Sequence, residues 1–154
     1  MSESRKDLRL QLGFTLIELM IVIAIIGILV GAAVVGWGVA IRSGNEAATL
    51  QNLRTIAASE LQYYNSHGRT FGSFEQLIQE KMLTSKFAGN PPIADGYVLT
   101  LKVVPKTETS STFCTLNADP QDARSGTTHF YVDSTDSSIH INRQQPAGPN
   151  DPVQ

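Results

Sequence analysis

Glu18 is the only ionisable side chain between Phe14 and Ile41, in the run GFTLIELMIVIAIIGILVGAAVVGWGVAI. A carboxylate taken to bilayer depth costs about 2.5–3.5 kcal/mol even on permissive insertion scales. A group placed there needs a cation or a proton to accompany it. The other reactive side chains are scattered. His67, His129 and His140 lie far apart, none at metal-ligand spacing from another His or from Cys114. His129 and His140 fall in adjacent expected strands, where strand-face positions account for them better than a ligand pair does. Asp119, Asp122, Asp133 and Asp136 are conceivable calcium ligands, but their spacing fits no loop motif, and aspartates in turns commonly serve turn geometry. The sequence has no GxSxG, HExxH or phosphate loop. No catalytic constellation emerges, and neither an enzyme nor a resident cofactor is expected.

Charge and composition narrow the field further. A net charge of −2 with no basic run gives no footprint for nucleic acid. Cys114 is the single cysteine, so no disulfide forms within one chain, and in a strand-like run it reads as a small buried apolar residue. Tyr63 and Tyr64 read as packing residues, since aromatics are only 7% of the chain.

The element that positions Glu18 is a helix. Residues 14–41 would span about 42 Å at 1.5 Å per residue, against about 30 Å of hydrocarbon. The preceding leader, residues 1–13, carries Arg5, Lys6 and Arg9 against Glu3 and Asp7. Its positive excess favours retention on the cytoplasmic side, with the body across the membrane. A permanent anchor would explain the hydrophobicity but not the acid. A secretory signal cut near Val30-Gly31-Ala32 is disfavoured because the apolar run exceeds 7–15 residues and continues past that point. Cleavage between Gly13 and Phe14 explains the acid. It creates an α-ammonium on Phe14, one helical turn from Glu18. Among packed helices the Glu18 carboxylate of one subunit can meet the Phe14 amine of its neighbour, and an out-of-register subunit leaves a charge unpaired.

The run GFTLIELMIVIAIIGIL resembles the N-terminal signature of type IV prepilins and type II secretion pseudopilins over roughly residues 5–36: a polar leader ending in Gly, a Phe, TLIE, then an apolar helix. The resemblance implies that Gly13 precedes the cut made by a prepilin peptidase, that Phe14 is N-methylated, and that Glu18 serves methylation or subunit registration. It also implies a bacterial inner-membrane precursor, and an inner-membrane platform with an ATP-driven machine that polymerises the chain into a helical homopolymer. Some major pseudopilins bind calcium in the sheet region, the conceivable counterpart of the four aspartates. Many family members have a proline where Val35 stands. Gly27, Gly31, Gly36 and Gly38 offer another route to local unwinding, at about 1 kcal/mol each, or else permit close helix contacts in a GxxxG-like manner. The segments LNADP and THFYVD are similar to those of small pilins, which favours a pilus subunit. A major pseudopilin is the alternative, and a membrane-anchored extracytoplasmic binding domain the remote one.

The fold class expected is α+β, pilin-like: a long N-terminal helix on a small antiparallel sheet, with the globular domain over residues 42–142. Leu50, Leu53, Ile56, Ala57, Leu61 and Tyr64 recur at helical spacing, with Glu46, Gln51, Asn52, Arg54 and Glu60 between them, until residues 65–68 end the helix. In the connecting segment, 66–96, Ser73 and Gln76 form a capping-box pattern for a short helix through about Met82, with Leu77, Ile78, Met82 and Leu83 inward. Asn90-Pro91-Pro92 breaks the chain. Strands are expected over 97–104, 112–118, 128–132 and 138–142, the last two joined by a hairpin turn at 133–137. The tail, 143–154, reads as extended or mobile.

Overall fold

The computed structural model describes residues 13–108 and 110–154; the leader, apart from Gly13, lies outside the described residues. The chain divides into two units, one ending at Trp37 and one running from Gly38 to Gln154. In the first unit the apolar side chains are open: Phe14 is 90% exposed, Ile28 74% and Trp37 69%. Such a surface has to be covered by lipid or by other chains. Helix α1, Leu16–Ser66, is long and apolar enough to cross a membrane.

In the second unit α1 lies against an antiparallel sheet. The strands are β1 (Ile93–Ala94), β2 (Tyr97–Val104), β3 (Phe113–Pro120), β4 (His129–Asp133) and β5 (His140–Asn142), and each pairs with the next in chain order. The period of two sorts the faces. Leu99 pairs with Ala118, Leu101 with Leu116, and Ala118 with Phe130, all on the inner face. Leu53 and Ile56 of α1, both fully buried, join Leu99, Leu116, Phe130 and Val132 in one core. A short helix α2, Phe74–Gln79, adds Phe74 and Leu77 to it, and the expected capping box at its start is present. The helix ends at Gln79 rather than near Met82, because Lys81 takes a positive φ of 57°. Leu83 is nonetheless buried, with Ile78 and Met82 packed at the margin of the core.

Strand β1 has no counterpart in the sequence reading. Asp95-Gly96 forms the two-residue loop of a tight hairpin, with Ala94 opposite Tyr97. Both loop residues have positive φ, 51° and 77°, the primed-turn geometry that Asp-Gly favours. Asp95 also accepts from Lys86 Nζ at 2.6 Å and Asn52 Nδ2 at 2.7 Å, tying the hairpin to α1. The Lys86 hydrogen bond, ahead of the other contributions, holds the Asp95 carboxyl below its usual range.

Of the two expectations for the tail, extended or mobile, its hydrogen bonds fit the extended one. Val153 bridges to His140; Ile141 N–H donates to Pro152 O, and Gln154 N–H to Ile139 O. Ala147 is buried, and its carbonyl accepts from Asn117 Nδ2 at 3.0 Å. Asp151 takes Asn142 Nδ2 at 3.0 Å and Gly148 N–H at 2.8 Å. Prolines removed backbone donors from this segment, but side chains of the outer sheet face supply the missing bonds. Asn117→Ala should leave the Ala147 carbonyl without its partner and cost about 1–2 kcal/mol. A lower urea midpoint at unchanged slope would record it.

Candidate functional site

The site begins with three residues outside any helix: Gly13, Phe14 and Thr15. The Gly13–Phe14 peptide bond is thus exposed, non-helical backbone immediately ahead of α1, the form in which a protease can take a chain. Helix α1 starts at Leu16 because TLIE is itself a capping box. Thr15 Oγ1 accepts the Glu18 N–H at 3.3 Å, and Glu18 Oε2 accepts the Thr15 N–H at 3.0 Å. Thr15 Oγ1 also donates to Glu18 Oε2 at 2.8 Å. Thr15 therefore aims the carboxylate back towards the residue that cleavage would make N-terminal. Among the described residues only Oε2 is used. The role of Thr15 was absent from the sequence reading, although the S/T-x-x-E pattern that reveals it stood in the quoted run.

Gly27, Gly31, Gly36 and Gly38 all lie within α1, and a Cβ built at any of them would meet nothing within 4 Å. Among the described residues these glycines relieve no crowding. Their small size therefore matters only towards something outside the chain, or for bending the helix.

The second candidate site comes apart. Asp133 sits opposite Thr115, while Asp119 stands four residues further along β3, about 14 Å away at strand rise. Each carboxylate has its own local work. Asp119 Oδ1 accepts from His129 Nδ1 at 2.6 Å. Asp122 Oδ1 takes the Ser125 hydroxyl and the Ser125 and Arg124 amides, which hold its carboxyl below the usual range. Asp133 Oδ1 accepts Thr135 N–H, and Asp136 Oδ1 accepts Ser138 N–H, both turn-closing bonds. No group of three His, Cys, Asp or Glu converges among the described residues.

His129 and His140 do share a face of adjacent strands, as diagonal neighbours, with Tyr131 opposite His140. Both are occupied. His140 Nδ1 donates to the Asp151 carbonyl at 2.6 Å, which fixes the protonated nitrogen. His67 instead stacks on Tyr63, ring centroids 3.9 Å apart. Cys114 is a free, buried thiol on the inner sheet face, its pKa pushed up to about 12 mainly by burial and then by the charge of Glu60. It is a packing residue, too rarely ionised to act as a nucleophile.

Residues 8–34 match the family described as "Prokaryotic N-terminal methylation motif", the prepilin signature of type IV pilins and pseudopilins. No curated protein and no solved structure matches the chain. The match covers Gly13, Phe14, Glu18 and about the first three quarters of the apolar segment 14–41.

Thr15→Val keeps the shape and removes the hydroxyl, which should cost about 1 kcal/mol of capping. Faster amide exchange at Glu18 in detergent micelles, by about fivefold for that energy, is the expected reading, with membrane insertion unchanged.

Proposed function

Starting from the N-terminal methylation motif at residues 8–34, we propose that the chain is a structural subunit of a type IV pilus-like filament. In this reading a prepilin peptidase cuts after Gly13, and Phe14 becomes the methylated first residue. An inner-membrane platform with an ATPase-driven machine then polymerises the mature chain through its N-terminal helix. The observation that carries it is the pairing of that motif with an apolar surface left open. One acid stands in a segment whose other side chains beyond Thr15, where described, are apolar and exposed.

Physical chemistry supports the assembly. Helices in hydrocarbon gain little from apolarity alone, because lipid is as apolar as leucine. Specific register then has to come from shape and from polar pairs. The glycines supply close approach. Glu18 supplies the polar pair, since an axially shifted neighbour leaves its charge without a cation. The second unit needs no membrane: it has its own core and a sheet whose outer face is strapped by the tail.

A major pseudopilin of a type II secretion system shares every element of this argument. Cell location separates the two, because a pilus extends from the surface and a pseudopilus spans the periplasm. The expected result is a high-molecular-weight fraction, sheared from intact cells, containing a chain that starts at methylated Phe14. A processed chain found only in membrane and periplasm favours the pseudopilus. A chain still carrying residues 1–13, or starting near Ala33 as a soluble monomer, contradicts both.

A further inference from the structure

Glu60 was expected on the polar side of α1, yet only 3% of its surface is exposed. Its Oε2 accepts the Gly72 N–H at 3.0 Å, and its Oε1 has no hydrogen-bond partner among the described residues. No cation lies within salt-bridge range of it among those residues. The groups around it offer no compensation. Cys114 on β3 is near enough to feel its charge, and Asp133 at the end of β4 acts on the same thiol. Arg54 and Asp133 line a surface cleft together with Phe71. On the loop that follows α1, His67 stacks on Tyr63 and approaches Glu80 at 3.9 Å, and Arg69 makes no salt bridge among the described residues.

Gly72 is seated tightly. A Cβ there would lie 3.2 Å from the Tyr63 ring, so the loop presses on α1 at the point where Glu60 holds its amide. The next residue is Ser73, the cap of α2, and α2 delivers Phe74 and Leu77 to the core. Glu60 thus makes the hydrogen bond that joins α1 to Gly72, the residue ahead of that cap.

We infer that Glu60 is a proton-dependent latch: as a neutral acid it holds the 67–73 loop and the start of α2 against α1, and its ionisation releases them. An ionised carboxylate with one hydrogen bond and no counter-charge cannot remain sealed from water. Of the elements that seal it, the loop gives no residue to the core, whereas α1 gives Ile56 and β3 gives Leu116. Ionisation is met by water entering where the loop lifts. The direction follows from linkage. Burial outweighs the Gly72 bond and pushes the Glu60 pKa from 4.5 to about 7. The closed form thus binds a proton more tightly than the open form does. Closure is fully favoured below the ordinary carboxyl range, weakens as pH rises through the interval between those two values, and levels off above it. A domain exposed to the medium outside the membrane would meet that interval in mildly acidic surroundings.

Amide exchange of the full chain in detergent micelles, corrected for intrinsic pH dependence, tests the latch. Protection at Gly72 should fall by more than about tenfold between pH 5 and pH 8 and change little beyond. In Glu60→Gln it should not vary with pH. Constant protection in the unaltered chain overturns the inference, and so does an equal fall in Glu60→Gln. Should that variant not fold, carboxyl carbon-13 shifts of the unaltered chain decide. Glu60 should be neutral at pH 6 and ionised at pH 8.5, whereas a carboxylate already ionised at pH 5.5 overturns the latch.

Discussion

A single negative charge in a hydrocarbon-length helix is the constraint from which the rest of this molecule follows. Among the described residues no cation neutralises Glu18; the capping bonds from Thr15 orient the carboxylate but bring no positive charge. An isolated subunit in a membrane would bear that cost. On the proposed reading the partner is the amine that leader cleavage creates, and it is presented by a neighbour. Processing and assembly then become one physical event: the cut makes the cation that the acid lacks.

The second unit has a core made from its own residues. Its α1 segment contributes Leu53 and Ile56 to a core closed by the inner face of the sheet. Side chains of α1 also reach out to loops. Glu46 Oε1 accepts the Thr127 and Thr128 amides, and Asn45 Nδ2 donates to the Ser125 carbonyl. Asn52 holds Asp95. Asn45, Glu46 and Asn52 are thus fasteners, meeting backbone and side-chain polar groups of the loops that lie against the helix.

Where local pattern decided the structure, it could be read in advance. The period-two runs became β2 to β5 within a residue or two, and Ser73 with Gln76 formed the cap they promised. Asp95-Gly96 was equally legible but went unread, because a strand of two residues has too little periodicity to draw attention. What periodicity could not show was the fate of polar groups. Glu60 and Asn52 look like solvent-facing helix residues and are buried, while Leu61 looks like core and is 59% exposed. Hydropathy fixes the apolar stripe only to within a neighbouring position; which flanking polar side chain is buried depends on a loop that arrives from elsewhere. What holds the tail was hidden for the same reason, since Asn117, Asn142 and His140 sit in other elements.

At the N-terminus the signature motif was legible, and the structure adds geometry: a Gly13–Phe14 peptide bond outside the helix, and an acid aimed by its own cap. The most direct measurement compares Glu18→Gln with the unaltered chain in the native host, reading leader removal and filament yield in parallel. The account predicts a chain trimmed at Phe14 that accumulates in the membrane, with filaments lost. Normal filament yield from the neutral variant would contradict it.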